Sequence, residues 1–323
     1  MPLPGDVHVN APLTNMSVAY IQDQKHFIAD QVFPIVRVEK QSDRYFVYSR
    51  EDFFRDEAEE RAPGTESAGS DYDIDNTPNY YCPEYAHHKD VSDPERANTD
   101  NPLKPDEDAT QFVTQKLLIK RERIWANKYF TSGRWGIDLT GRSSSPGAEE
   151  FLQWDQTGST PVKDIKAKRL AIAEKTGFLP NVLVLGAYVY NALSEHDDIT
   201  DKIKYTQKAV VTPELIAGIL DIDKVVVAYG VVNTAAKKKT GSFSFIQGKH
   251  ALLAYAAPNP GIKVPSAGYI FTWTGLFGAG AYGNRIKTFR MENLESDRVE
   301  GQMAFDCKLV ASDLGAFFGG AVG

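Results

Sequence analysis

The stretch that most constrains this chain is DEDATQFVTQKLLIKRERIWANKYF, Asp106 to Phe130, the longest uninterrupted helical pattern in it. Pro105 precedes it, and Asp106, Glu107 and Asp108 crowd the first turn, where a helix dipole favours negative charge. At ~100° per residue, Phe112, Ile119, Ala126 and Phe130 fall on one line, Val113, Leu117 and Ile124 on a second, and Leu118, Trp125 and Tyr129 on a third. A surface helix of a compact domain shows one such stripe. A helix that is apolar on several sides belongs within a layer, its own subunit on one side and either more of the same chain or another subunit on the other. Lys116, Lys120, Arg121, Glu122, Arg123 and Lys128 lie between the stripes, where their stems can cover apolar surface or their heads pair with acidic neighbours.

Two segments have no core of their own. Residues 1 to about 20 carry Pro2, Pro4, Gly5 and Pro12 with few large apolar groups, the pattern of an arm that becomes ordered against something else. Strand patterns at Arg44 to Tyr48 and Tyr80 to Val91 flank SREDFFRDEAEERAPGTESAGSDYDIDNTP, dense in Asp, Glu, Arg and Ser, with a Pro63-Gly64 turn. Loops beyond ~12 to 15 residues are functional or disordered. An isolated two-stranded excursion buries too little to be stable alone, so this one needs a neighbouring surface.

After the long helix, 131–161 reads as a linker into a second region. There Lys163 to Thr176 is a helix stopped by Gly177, followed by a buried strand at Asn181 to Leu185, a helix at Ala187 to Leu193, a helix capped by Thr212-Pro213-Glu214, and a second buried strand at Lys224 to Tyr229. Further strands fall at Phe243 to Ile246, Ala251 to Ala256 and Tyr269 to Trp273. Arg298 to Val310 alternates along its whole length and pairs naturally with Asn284 to Met291 as an antiparallel hairpin that returns to the long helix.

No reaction centre emerges, and the chain reads as a protein that is not an enzyme, with no cofactor and no metal. Gly278 to Gly283 matches GxGxxG, but a strand pattern follows it instead of the helix that the dinucleotide fingerprint requires. His87 and His88, with Cys82 and Glu84, fit no zinc spacing. Lys237, Lys238 and Lys239 form a basic turn. The net charge of −7 argues against coating nucleic acid by bulk electrostatics, while leaving room for local basic patches. Two cysteines, Cys82 and Cys307, are too few for a disulfide framework and suit a reducing cytoplasm. No run of ~18 apolar residues offers a membrane span.

The order of segments resembles the major capsid proteins of tailed bacteriophages, the group with the HK97-type fold. The likeness runs over nearly the whole chain: VFPIVRVEKQSDRYFVY, then RAPGT, then YYCPEYAHHKDVSDPERANTDNPL, the Asp106 to Phe130 helix, and LPNVLVLGAYVYNALSEHDDITDKIKY.

The resemblance implies an α+β fold with an N-terminal arm and the start of a peripheral domain in 1–41, an extended E-loop in 42–91, and a peripheral domain in 92–161 with a spine helix at 106–130. It implies further an α/β axial domain in 162–275 and C-terminal peripheral strands in 276–323. Identical chains would form pentamers and hexamers and close an icosahedral or elongated shell, the virion capsid, around double-stranded DNA contacted non-specifically. Synthesis in the host cytoplasm, a portal protein and a possible decoration protein go with that reading. Some members join subunits through an E-loop lysine, but 41–88 contains none, so a non-covalent shell is expected. Arg50, Asp52, Asp56, Glu57, Glu59, Glu60 and Arg61 in the loop, with Arg121 and Arg123 on the helix, are the expected intersubunit contacts. No coiled-coil propeptide precedes the arm, so a separate scaffolding protein is expected. Encapsulin-type compartments share the fold, and a nucleotide-binding oxidoreductase built on Gly278 to Gly283 is the rival from another class.

Overall fold

The computed structural model describes residues 21–99, 103–203, 211–261, 263–275 and 284–323. The arm expected in 1–20 and the glycine motif Gly278 to Gly283 lie outside the described residues.

Among these residues the strands are β1 (Ile35–Val38), β2 (Ser42–Arg44), β3 (Val47–Tyr48), β4 (Ile74–Asp75), β5 (Asn79–Tyr81), β6 (Glu84–Ser92), β7 (Ile137–Arg142), β8 (Glu150–Leu152), β9 (Val182–Gly186), β10 (Lys224–Ala228), β11 (Val231–Asn233), β12 (Phe243–Phe245), β13 (Ala251–Ala254), β14 (Gly268–Trp273), β15 (Arg285–Met291), β16 (Ser296–Leu309) and β17 (Gly315–Gly319). The helices are α1 (Arg50–Phe53), α2 (Asp93–Ala97), α3 (Pro105–Tyr129), α4 (Pro161–Thr176), α5 (Ala187–Glu195), α6 (Asp197–Ile203) and α7 (Pro213–Leu220).

Helix α3 is the expected long helix. Pro105 starts it and three acids occupy its first turn. At its far end the Tyr129 hydroxyl lies 2.8 Å from the Tyr269 carbonyl and 3.1 Å from that of Lys308, which ties the helix to two strands at once. Those strands belong to a five-stranded sheet ordered β1-β14-β16-β15, with β6 also on β16. Strand β16 is shared: its residues 296–302 pair with β15, 296–304 with β6, and 305–309 with β14. The antiparallel β15/β16 hairpin agrees with the alternation in the sequence. At the centre of β16 both faces are covered, so Gln302 and Ala304 are buried along with Met303 and Phe305.

Helix α3 lies close to β16 because position 301 is glycine. A Cβ there would stand 2.7 Å from both Leu117 Cδ1 and Val113 Cγ1, inside contact distance. Gly301→Ala is therefore expected to cost about 1–3 kcal/mol by overpacking, read from the denaturant midpoint of the subunit. Unchanged stability would show that α3 is free to shift off the strand.

The second sheet, six-stranded, runs β10-β9-β13-β17-β7-β8. Helices α4, α5 and α7 cover one face through Ile165, Ile172, Val189, Leu193, Ile216 and Leu220. Helix α4 ends as its sequence predicts, on Gly177 at φ 73°. The other face, with Val184, Leu252 and Phe317, joins the core around Trp125, Tyr129 and Phe305. The C-terminal half of α3 is thus enclosed by one sheet, the other sheet and the segment Ile28–Phe33. Its apolarity on several sides is satisfied there by its own chain, and of its large apolar residues Phe112 stays half exposed.

Three expected boundaries do not match the sheets. Residues 131–161 are no linker, because β7 and β8 extend the six-stranded sheet and Trp154 is fully buried. Strand β17, near the C-terminus, does not join the peripheral strands but enters between β13 and β7. Strand β14, expected with the second region, pairs instead with β1 and β16. All three belong where long-range pairing places them, which local alternation does not encode.

Candidate functional site

The long loop grows from the face of the five-stranded sheet opposite α3. Ile270, Phe305 and Cys307 face the helix, while their neighbours Tyr269 and Phe271 face the loop root. Tyr80 stacks on Phe271 with ring centroids 4.6 Å apart and planes 12° apart. Cys82 is buried beside them, and its N–H donates to the Gln41 carbonyl at 2.9 Å. Burial pushes the Cys82 thiol up to about 12, so it is a packing residue and not a nucleophile.

From this root two short antiparallel ladders project, β2 with β5 and β3 with β4. Past them, Ser49 caps α1 by accepting from the Asp52 N–H at 3.4 Å. Asp52 in turn accepts from the Asp73 N–H at 3.0 Å across the ribbon. That amide, more than the Ser49 hydroxyl, holds the Asp52 carboxyl below its usual range. Tyr48, Phe53 and Tyr72 cluster with centroids 5.5 to 6.1 Å apart. Gly64, at φ 84°, makes the predicted Pro63-Gly64 turn, and Arg61 Nε donates to the Thr65 carbonyl across it at 2.5 Å.

Every residue from Phe53 to Thr77 is exposed. These 25 residues carry eight acidic side chains against two arginines, a net charge of −6 in a chain of −7. They also hold Phe53 and Phe54 at 57% exposure each, with Tyr72 and Ile74 nearly half exposed. An acidic ribbon with uncovered aromatics is not a finished surface.

A few ties hold the ribbon's near end to its own body. Arg50 Nη1 donates to Asp313 at 2.7 Å, Lys263 Nζ sits 4.8 Å from the Tyr48 ring centroid, and Phe54 lies beside Gly177. Exposed pairs of this kind are worth ~0–1 kcal/mol. Arg50→Ala is expected to change subunit stability by no more than about 1 kcal/mol in urea unfolding. A larger loss would mean that the loop is an integral part of the subunit core.

The sequence-predicted contacts separate into groups. Asp56, Glu59 and Glu60 are exposed with no cation within 4.0 Å among the described residues, and Glu57 approaches Arg55 at 3.8 Å. Arg50, Asp52 and Arg61 are engaged within the subunit as described. Arg123 is exposed on α3. Arg121 is a correction: at 8% exposure it points inward and meets Asp30 at 3.4 Å, so it is not a surface contact. Its neighbour Glu122, not singled out from the sequence, is fully buried and accepts from the Ile28 and Ala29 N–H groups at 3.0 and 2.9 Å and from Gln247. Burial pushes its carboxyl up to about 7, against the lowering effect of those donors. The exposed aromatics of the ribbon, absent from the contacts expected from the sequence, do carry a readable signal there, as large apolar residues inside a strongly polar stretch.

One arrangement has the look of a catalytic pair. Ser159 Oγ lies 2.9 Å from His196 Nε2. His196 Nδ1, however, accepts from the Asp198 N–H at 3.0 Å, which puts the ring proton of the neutral imidazole on Nε2. That nitrogen donates to Ser159, whose own proton goes to the Gln156 carbonyl at 2.7 Å. The histidine is oriented as a donor and does not activate the hydroxyl.

No family model matches the chain. A major capsid protein of Burkholderia phage BcepMu is 26% identical over 333 residues, covering 98% of this chain and 97% of that one. A phage-related protein from Bordetella bronchiseptica RB50 superposes with a TM-score of 0.67 at 19% identity, over 93% of each chain. The capsid structure of cyanophage P-SCSP1u gives a TM-score of 0.62 at 9% identity, over 97% of this chain and 93% of that one. With the loop, the long helix and the two sheets arranged as above, the chain has the HK97-type fold of tailed-bacteriophage capsid proteins.

Proposed function

We propose that this chain is the structural subunit of a phage head, assembling as pentamers and hexamers into a closed shell around double-stranded DNA. The observation that carries the reading is the Phe53–Thr77 ribbon, exposed along its whole length and bearing aromatics that its own subunit leaves uncovered. In the shell these side chains lie against a neighbouring copy, and the acids Asp56, Glu57, Glu59 and Glu60 meet cations there.

The five-stranded sheet with α3 serves as the peripheral part and the six-stranded sheet with α4, α5 and α7 as the axial part. The loop has no lysine between 41 and 88, so the shell is held without a cross-link from that side chain. Individual pairs worth ~0–1 kcal/mol hold only by repetition over many copies, together with burial of the aromatics. Scaffolding and portal proteins are the other partners, and a decoration protein is a possible addition. The relative of similar length is a phage protein, which favours a virus head over an encapsulin compartment.

Negative-stain microscopy of the protein produced with and without its neighbouring phage genes tests this. Uniform shells support the reading, and a monodisperse monomer under every assembly condition overturns it.

A further inference from the structure

The exposed side of α3 carries a charge pattern that the subunit leaves unanswered. Lys116, Lys120 and Arg123 follow one another at i, i+4 and i+7, all exposed, with Lys128 exposed further along. No carboxylate among the described residues comes within 4.0 Å of any of the four, and the one acid in that stretch, Glu122, is buried. Lys116 and Lys120 lay their heads near the Phe112 and Tyr85 rings, 5.1 and 5.4 Å from the centroids. The cations of the neighbouring strands behave differently: Arg298 holds Asp90 at 2.7 and 2.9 Å, and Arg290 holds Asp93 with two bonds of 2.6 Å.

The acidic ribbon of the same chain is not placed to answer this pattern. Its root packs on Tyr269 and Phe271, on the face of the five-stranded sheet turned away from α3. One side of the layer thus roots a segment of net charge −6, and the other presents a stripe that is basic from Lys116 onward, the exposed acids of α3 being confined to its first turn at Asp106, Glu107 and Asp108. A protein partner would call for an apolar centre, and the large exposed apolar group near the stripe is Phe112, itself under the Lys116 head. Evenly spaced cations on a rigid helix, spanning about 10 Å from Lys116 to Arg123, suit a continuous line of phosphates instead.

We infer that Lys116, Lys120 and Arg123 on the exposed side of α3 form a contact surface for the phosphate backbone of double-stranded DNA. This rests on the proposed shell function and names which part of the subunit faces the packaged nucleic acid. The contact is non-specific, since it reads phosphates and no base edges.

The test is titration of the full-length, unassembled protein with a labelled 30-base-pair duplex at 50 and 200 mM salt, beside microscopy of shells. For the wild type, log K is expected to fall against log salt with a slope of about −3, from three to four phosphate contacts. The Lys116→Gln/Lys120→Gln/Arg123→Gln variant is expected to lose at least tenfold in affinity at 50 mM and nearly all of that slope. The single change Lys120→Gln should lower the slope by about one. The control Lys237→Gln/Lys238→Gln/Lys239→Gln, on the exposed turn after β11, should bind as wild type. Wild-type binding by the α3 variant, or no wild-type binding at 50 mM, overturns the inference. So does a variant that binds DNA normally but no longer forms shells when produced with the phage genes, which would assign the stripe to an acidic protein. Failure of the shell reading itself shows separately, as absence of particles from the wild type.

Discussion

A chain in which residues 55–71 are replaced by two glycines is expected to fold as a stable subunit and to form no shells. The deleted residues are exposed throughout, and the β3/β4 ladder with Tyr48, Phe53 and Tyr72 remains to close the shortened ribbon. A shorter closure also costs less chain entropy, so subunit stability should stay within about 1 kcal/mol of the parent. The acids Asp56, Glu57, Glu59 and Glu60, with Arg55 and Arg61, go with the deletion, and with them the surface proposed to lie across a neighbouring copy. Sedimentation and microscopy should show particles lost at protein concentrations where the parent assembles fully. Normal shells from the shortened chain would assign assembly to other surfaces.

Glu122→Gln is expected to change how the subunit responds to pH. Burial raises the Glu122 carboxyl from an ordinary value near 4.5 to about 7. The folded state therefore favours the neutral acid, and its stabilising effect is complete below the ordinary value and lost as pH rises through about 7. Over that window the group lowers stability by up to about 3 kcal/mol. Glutamine keeps a carbonyl for the Ile28 and Ala29 amides and has no charge to bury. It can also donate to Gln247 Oε1, which has no hydrogen-bond partner among the described residues, once that amide turns over. Denaturation at pH 4 should find the variant close to the parent, and at pH 8 the variant should be more stable by up to about 3 kcal/mol. Equal pH slopes for the two proteins would mean that the Glu122 carboxyl ionises in the folded subunit as it does in the unfolded chain, its burial fully offset by the Ile28, Ala29 and Gln247 donors. Glu122→Ala would behave differently, leaving two buried amides without an acceptor and destabilising at every pH.

Elements set by local pattern were legible in the sequence. The Pro105 start and acidic first turn of α3, the Gly177 stop of α4, the Thr212 cap of α7 and the alternation of β16 each rest on neighbours within one or two turns. Pairings between distant segments were not. Strands β7, β8 and β17 have ordinary short patterns, and nothing in them says that they share a sheet with β13. For the same reason Arg121 and Glu122 look equivalent in the sequence among the charges of α3. The approach of Ile28 and Ala29 to the Glu122 carboxyl, and of Asp30 to Arg121, turns both inward. The extended loop announced itself by composition, whereas its exposed aromatics became meaningful only when the fold left Phe53 and Phe54 uncovered.

The proposal that copies of this chain complete each other's surfaces is tested most directly by hydrogen exchange on the Phe53–Thr77 amides, in free subunits and in closed shells. In the free subunit those amides are expected to exchange rapidly, and in the shell much of the ribbon should be protected by the adjoining copy. Protection already present in the free subunit, or equally fast exchange in both, would contradict it.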